Sequence, residues 1–280
     1  MTAITIQGLT KKFDGFALQN VSFTLKKGTV MGFIGENGSG KSTTIKCILN
    51  LLHKDAGTIA VFGNNHLINE VRWKEQVGVV FDDIHFPDMF TAKHVNSFMK
   101  KMYKQWDDPY FMQLLQQFHI PQKKKVKQLS RGMKMKLSIA VALAHHPKLL
   151  LLDEPTSGLD PIVRDEILDL LLDFMQDEEH SILFSSHITS DLEKIADDIT
   201  FIHKGKILFS ENKDILLYDY GIWKGSQSEA LDLPEEAMIS KRPCAFGVEI
   251  LVERSRVNAA FPLEKPSIED IMLFHVKGAL

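Results

Sequence analysis

One stretch constrains this chain more than any other: Gly35-Glu36-Asn37-Gly38-Ser39-Gly40-Lys41-Ser42-Thr43. It follows the spacing G-x-x-x-x-G-K-[ST], with Gly35, Gly40, Lys41 and Ser42 at the fixed positions. Glycines at Gly35, Gly38 and Gly40 let the backbone turn its N–H groups inward around an anion. Lys41 can reach β- and γ-phosphates as a point charge, and the Ser42 hydroxyl can ligate Mg²⁺. The flanks agree. Residues Thr29–Ile34 form an apolar run suited to a buried parallel strand. Ile45, Ile48, Leu49 and Leu52 then fall at i, i+3, i+4 and i+7, one apolar helix face. Strand, glycine loop and helix in that order aim a helix N-terminus at phosphate, so the chain is expected to bind a nucleoside triphosphate.

The remaining composition narrows the class. With 280 residues, 44% of them hydrophobic, there is material for one large or two modest domains. A net charge of -3 does not point to nucleic acid. Cys47 and Cys244 lie far apart and suggest neither a disulfide framework nor a zinc site; Cys47 reads as a small core residue. The alternating N-terminus, Met1–Ile6, reads as a strand rather than a leader. No apolar run approaches the ~20 residues needed to cross a bilayer, so a membrane role has to be peripheral, through a partner. Residues 91–136 hold ten lysines and Arg131 against only Asp107 and Asp108. This reads as a solvated helical face, or as a surface that approaches an anionic leaflet or acidic partner.

A second set of motifs completes a site. Leu149-Leu150-Leu151-Leu152-Asp153-Glu154 has buried-strand character and ends in two acids. An Asp there can hold the Mg²⁺ shell beside the phosphate loop, and Glu154 can act as general base for an attacking water. In Ser157-Gly158-Leu159-Asp160-Pro161, Asp160 is placed to N-cap a helix whose apolar face carries Val163, Ile167, Leu170, Leu171 and Phe174. The strand Ser181–Phe184 leads into Ser185-Ser186-His187, and Ser190 with Glu193 reads as a capping box. Residues Ile199–Phe209 read as a hairpin with Lys204-Gly205 in its turn. Ser130 and Gly132, in Leu129-Ser130-Arg131-Gly132-Met133, sit at the mouth of a further helix and form a second anion-facing terminus. One nucleotide needs one phosphate loop, so a second such terminus suggests that two chains share a nucleotide.

With these pieces in this order, residues 1–215 resemble the ATP-binding subunit of an ATP-binding cassette (ABC) transporter, of the bacterial drug- and peptide-exporter type. Gly35–Thr43 resembles the Walker A loop, Leu149–Glu154 Walker B, Ser157–Asp160 the D-loop, and His187 the switch histidine. Phe13 resembles the aromatic that stacks on adenine. The resemblance implies an α/β P-loop NTPase (RecA-like) core with an antiparallel β subdomain, a helical subdomain inserted at 86–147, and a small α+β C-terminal extension at 216–280. It implies catalytic Glu154, His187 and Lys41. ATP contacts would come from Phe13, Gly35, Asn37, Gly38, Ser39, Gly40, Lys41, Ser42, Thr43, Ser130, Gly132 and Asp160, with Mg²⁺ held by Ser42, Asp82 and Asp153. It further implies a second ATPase subunit, identical or similar, transmembrane permease subunits, and a peripheral place on the cytoplasmic membrane face. No nucleic-acid partner is expected. Two positions depart from the family pattern: the signature reads Leu-Ser-Arg-Gly-Met instead of L-S-G-G-Q, and Asp82 stands where a glutamine is usual. These leave two alternatives, a soluble ABC-type ATPase with a non-membrane partner and a weakly hydrolysing regulatory ATP binder.

Helical spacing predicts core positions at Phe90, Val95, Phe98, Met99 and Met102, and at Phe111, Leu114, Leu115 and Phe118, with Pro121 ending the second helix. Past residue 216, Gly221, Gly225 and Leu231–Ala237 read as a linker or irregular entry. Ala245–Val252 and Arg256–Phe261 read as strands, and Pro266–Asp270 as the start of a last helix carrying Ile271, Leu273 and Phe274.

Overall fold

Alternating apolar residues set the first two strands, β1 (Thr2–Phe13) and β2 (Phe16–Lys26). Ile4, Ile6 and Leu9 turn inward from one and Leu18, Val21, Phe23 and Leu25 from the other. The computed structural model of the protein describes residues 1–83, 86–244, 247–258 and 261–278. β3 (Val30–Ile34) runs through the phosphate loop into α1 (Lys41–Ile48), and β4 (Ala56–Val61) and β5 (Asn64–Asn65) complete an antiparallel sheet in the order β2-β1-β4-β5. α2 (Glu70–Lys74) and β6 (Val77–Val80) follow. Next come three helices: α3 (Ala92–Met102) capped by Thr91, α4 (Asp108–Gln117) capped by Asp107, and α5 (Arg131–Leu143) capped by Ser130. The chain then alternates through β7 (Leu149–Asp153), α6 (Pro161–Phe174), β8 (Ser181–Ser186), α7 (Thr189–Ile195), β9 (Asp198–His203) and β10 (Lys206–Asn212).

These strands form a six-stranded sheet in the order β10-β9-β3-β8-β7-β6, parallel except for β10. Every residue of β3, β7 and β8 is buried, because both faces are covered. Side-chain parity divides them. Leu150, Leu152, Ile182 and Phe184 join the cluster under the helices, while Leu149, Leu151 and Leu183 join the one shared with α1 and the antiparallel sheet. Cys47 is buried in that second cluster. The hairpin turn falls at Lys204-Gly205, both at positive φ, as the sequence predicts.

The extension adds β11 (Tyr220–Gly225), β12 (Met238–Cys244), β13 (Gly247–Glu253) and α8 (Ile268–Lys277). Its sheet is antiparallel in the order β11-β13-β12. α8 is capped by Ser267, and its Ile268, Ile271 and Phe274 enter the main helix-side core.

Several local expectations are corrected. Gly221 and Gly225 lie in β11, where Ile222 and Trp223 supply the buried side chains that hold an edge strand. Arg256–Phe261 is not a strand: Arg254–Arg256 is a 3₁₀ turn after β13. Residues 259 and 260 of that expectation, and Ala245 of the preceding one, lie outside the described residues. α1 ends at Ile48, so Leu52 falls past the helix, beyond Asn50 at φ +56°. Phe111, Leu114, Leu115 and Phe118 are buried as expected, but Phe98 and Met102 are 48% and 63% exposed. α3 packs on α4 and α5, yet this part of its apolar stripe faces outward.

Candidate functional site

Parallel strand order brings the chemistry to one edge. β3, β6, β7 and β8 point the same way, so the loop after Ile34, Asp82 after β6, Asp153-Glu154 at the end of β7 and His187 after β8 share the C-terminal edge of the sheet. Gly38, at φ +80°, has only open space where a Cβ would stand, so the loop presents bare backbone at that point. Gly40, at φ +117°, is the N-cap of α1, and a Cβ there would lie 2.5 Å from Leu18 Cδ2. Ser39 Oγ is buried with no hydrogen-bond partner, and Ser42 and Thr43 form the first turn of α1.

Lys41 is 4% exposed. Its Nζ donates to Gly35 O at 2.6 Å and to Glu36 O at 3.2 Å, and lies 3.0 Å from Glu154 Oε1. The other Glu154 oxygen, Oε2, lies 2.7 Å from His187 Nδ1. Lys41, Glu154 and His187 are therefore one connected chain of charge and hydrogen bonds. Glu154 holds φ +53°, a left-handed conformation stabilised by its N–H, which donates to Ser185 O at 3.1 Å and Ser185 Oγ at 3.2 Å.

Asp153 is buried, and Ser185 Oγ donates to its Oδ1 at 2.7 Å. Burial pushes its carboxyl above the usual range; hydrogen bonds from Ser185 and Ser42 pull it back, and the charges of Asp82 and Glu154 push it up further. Two of the three residues expected at Mg²⁺, Ser42 and Asp153, are thus in contact. The third, Asp82, is exposed and close enough for its charge to act on Asp153.

Phe13 ends β1 with 44% exposure, and its ring lies 6.4 Å from that of Phe16. Phe16 in turn faces Gly40, where a Cβ would lie 3.1 Å from its Cζ, so Phe13 flanks the phosphate loop. Ser130 caps α5 by accepting from Met133 N at 3.2 Å, and Asp160 caps α6 by accepting from Val163 N at 3.0 Å. Among the described residues, no hydrogen bond or ion pair joins Ser130, Gly132 or Asp160 to the phosphate loop of the same chain. Arg131 lies against Gly158, where a Cβ would stand 2.9 Å from Nη1. The Ser190–Glu193 capping box does not form: α7 starts at Thr189 with Ile188 as N-cap, and Glu193 accepts instead from Ile268 N.

The profile of the family described as "ABC transporter" matches residues 18–157, from β2 through both acids and into the D-loop. The chain belongs to the ABC transporter family. It is an ATP-binding, ATP-hydrolysing subunit of that family. YtrB of Bacillus subtilis, an ABC transporter ATP-binding protein, is 33% identical over 78% of this chain and 74% of its own length. The bacitracin transport ATP-binding protein BcrA of Bacillus licheniformis is 35% identical over 74% of this chain and 69% of its own length. The ABC transporter ATP-binding protein YhcH of Bacillus subtilis is 29% identical over 99% of this chain and 92% of its own length, and so spans the extension as well. A solved structure described as "Structure of ATP binding subunit of ABC transporter" shares the fold, with a TM-score of 0.69 at 24% identity over 77% of this chain and 92% of that one.

In this ABC transporter subunit, sequence reasoning missed Ser185. Its hydroxyl fixes Asp153, and its backbone carbonyl and hydroxyl hold the turn at Glu154. The pairing Asp153↔Ser185 in β7 and β8 is what makes it a site residue, and that register is legible only in the fold.

Proposed function

We propose that this subunit binds Mg-ATP at the sheet edge, closes face to face on a second ATPase subunit, and hydrolyses the nucleotide between them to drive transmembrane permease subunits. The observation that carries this reading is the Lys41–Glu154–His187 chain beside buried Asp153.

The site fits ATP. The bare backbone at Gly38, the partnerless buried hydroxyl of Ser39 and the ammonium of Lys41 together suit a polyphosphate, and Phe13 offers a π-face for adenine. Gly35, Asn37, Gly40 and Thr43 contribute the rest of the loop. The site also fits Mg²⁺, since Ser42, Asp153 and Asp82 are hard oxygen donors. When bound, Mg²⁺ supplies charge neutralisation on the phosphate oxygens. Glu154 takes the proton of the attacking water, and His187, bonded through Nδ1 to Glu154, steadies both the base and the γ-phosphate. For this to happen Lys41 exchanges its contact with Glu154 for the nucleotide. Ser130 and Gly132, unengaged by their own phosphate loop, serve the partner's γ-phosphate, with Asp160 of the D-loop in the same interface.

The helical subdomain supports permease docking. A cavity of about 190 Å³ is lined by Val79, Phe81, Met99 and Tyr103, and Phe98 and Met102 stand exposed on the same helix. No helix among the described residues is long and apolar enough to cross a membrane, in keeping with a peripheral subunit at the cytoplasmic face. Residues 1–215 are read as the ATPase unit and 216–280 as an accessory extension. The likeness to the bacitracin transport protein supports peptide or drug cargo, and the proposed direction is export.

The test is oligomeric state. The hydrolysis-blocked Glu154→Gln chain in saturating Mg-ATP should elute as a dimer, and adding Ser130→Arg should return it to monomer. A Glu154→Gln chain that stays monomeric, alone and with its permease, overturns the shared site.

A further inference from the structure

The C-terminal extension meets the ATPase core where it bears on the chemistry. His187 is followed directly by α7, seven residues long, whose N-cap Ile188 has no side-chain oxygen to offer. Ser186 Oγ accepts from Ile188 N at 2.9 Å, which holds the turn but not the helix. A helix this short, without a cap, has little stability of its own and takes its position from what it packs on. On one side Arg164 of α6 lies 3.7 Å from Asp191. On another is α8. Ile268 N–H donates to Glu193 Oε1 at 2.9 Å, so a side chain of α7 satisfies a free amide at the start of α8. Ile268, Ile271 and Phe274 share one buried cluster with Leu192 and Ile195 of α7.

α8 is itself fixed to the small sheet. Ser240 Oγ donates to Phe274 O at 3.0 Å, the Arg242 guanidinium covers the Phe274 ring at 4.4 Å, and Arg242 Nη2 lies 3.4 Å from Asp270. A cavity of about 490 Å³ lies between α8 and the switch loop, lined by Glu36, His187, Ile188, Met272 and Leu273 among others. One wall of the space beside His187 is therefore built by the extension.

We propose that α8 positions His187 through α7, with the Glu193–Ile268 hydrogen bond as the link, so that the extension sets the hydrolysis rate. This rests on the role given to His187 above. Glu193 is a positioning residue: its contacts run to α8 and, through its carbonyl, to Lys213, not to the phosphate loop. When α8 shifts, α7 loses a support on one side, and the 2.7 Å contact between His187 and Glu154 lengthens. Misplacing a catalytic group by about 1 Å is enough to lower turnover severely.

The experiment measures steady-state ATPase and thermal melting on the full chain. Glu193→Ala should lower kcat about tenfold and leave KM for ATP within about twofold. Glu193→Gln, which keeps an acceptor for Ile268 N–H, should restore the rate. Ser267→Ala, which weakens the α8 cap from the other side, should lower kcat in the same direction by a smaller factor. Arg256→Ala, on a far turn of the extension, should change nothing. In a His187→Ala background, Glu193→Ala should have no further effect, because the route through His187 is already cut. An unchanged kcat in Glu193→Ala, an equal loss in Glu193→Gln, or an undiminished loss in the His187→Ala background overturns the proposal. If His187→Ala alone keeps full activity, the catalytic role of His187 fails first and this proposal with it. If His187→Ala is inactive while Glu193→Ala is normal, only the link through α8 fails.

Discussion

Glu154 makes two contacts that pull in opposite directions, and Glu154→Gln separates them. Its carboxylate is the proposed base, yet it also holds Lys41 at 3.0 Å, with the two side chains 12% and 4% exposed. At an effective dielectric of about 20, a pair at this separation attracts by ~5 kcal/mol before desolvation is charged against it. Among the described residues Glu154 Oε1 accepts no hydrogen bond, so the contact is a bare ion pair, and desolvation of two buried charges offsets most of that attraction to leave a net of about 1.5 kcal/mol. Lys41 forfeits that when it turns to a phosphate. The amide variant keeps the shape and an acceptor for His187 but removes the competing charge. Hydrolysis should therefore fall ~10²–10⁴-fold, while ATP affinity rises by about 1.5 kcal/mol, or roughly tenfold. Calorimetric titration with ATP in the presence of Mg²⁺, beside a phosphate-release assay, reads both. A variant that hydrolyses at the native rate removes Glu154 as base. One that loses hydrolysis but binds ATP no more tightly than the native chain shows that the Lys41–Glu154 pair does not oppose nucleotide entry.

Asp153→Asn should stabilise the fold and impair Mg²⁺-dependent turnover together. Burial raises this carboxyl, so the native state holds its proton more tightly than the unfolded chain, and the stability this contributes is lost as pH rises through the raised value. The variant should melt about 2 °C higher at pH 8 by calorimetry, with the gain shrinking as pH falls toward the ordinary carboxylate range. Phe13→Ala should raise KM for ATP about fivefold, matching ~1 kcal/mol of stacking, whereas Phe13→Tyr should stay within about twofold. Gly158→Ala meets both a left-handed backbone, φ +65°, and the Arg131 guanidinium. It should cost about 1–2 kcal/mol in denaturant titration, and adding Arg131→Ala should recover the steric part only.

Most of the core site was legible because its geometry is local. A strand, nine loop residues and a helix carry the phosphate loop, the acids at the sheet edge follow apolar runs, and the histidine comes two serines after one. Asp160 and Ser130 behave as caps because capping depends on the next three residues alone. What was not legible depends on distant pairing. Ser185 matters through its register with Asp153. Glu193 looked like half of a capping box, but a residue 75 positions away competes for its carboxylate. Phe98 and Met102 carry core spacing on a helix that has too few neighbours to bury them. Gly221 and Gly225 suggested a linker because nothing nearby reveals that β13 will pair with that segment.

The four consecutive leucines of β7 have a further consequence. Leu149, Leu150, Leu151 and Leu152 are interchangeable, so sliding this strand by one place would exchange which leucines enter which cluster at almost no apolar cost. Oiliness alone therefore says nothing about where the strand should stop. The polar end decides it: the observed alignment sets Asp153 opposite Ser185, whose hydroxyl satisfies the buried carboxylate on the face that carries the phosphate loop. The residue proposed to anchor the metal is also the peg that tells the middle of the sheet how to line up.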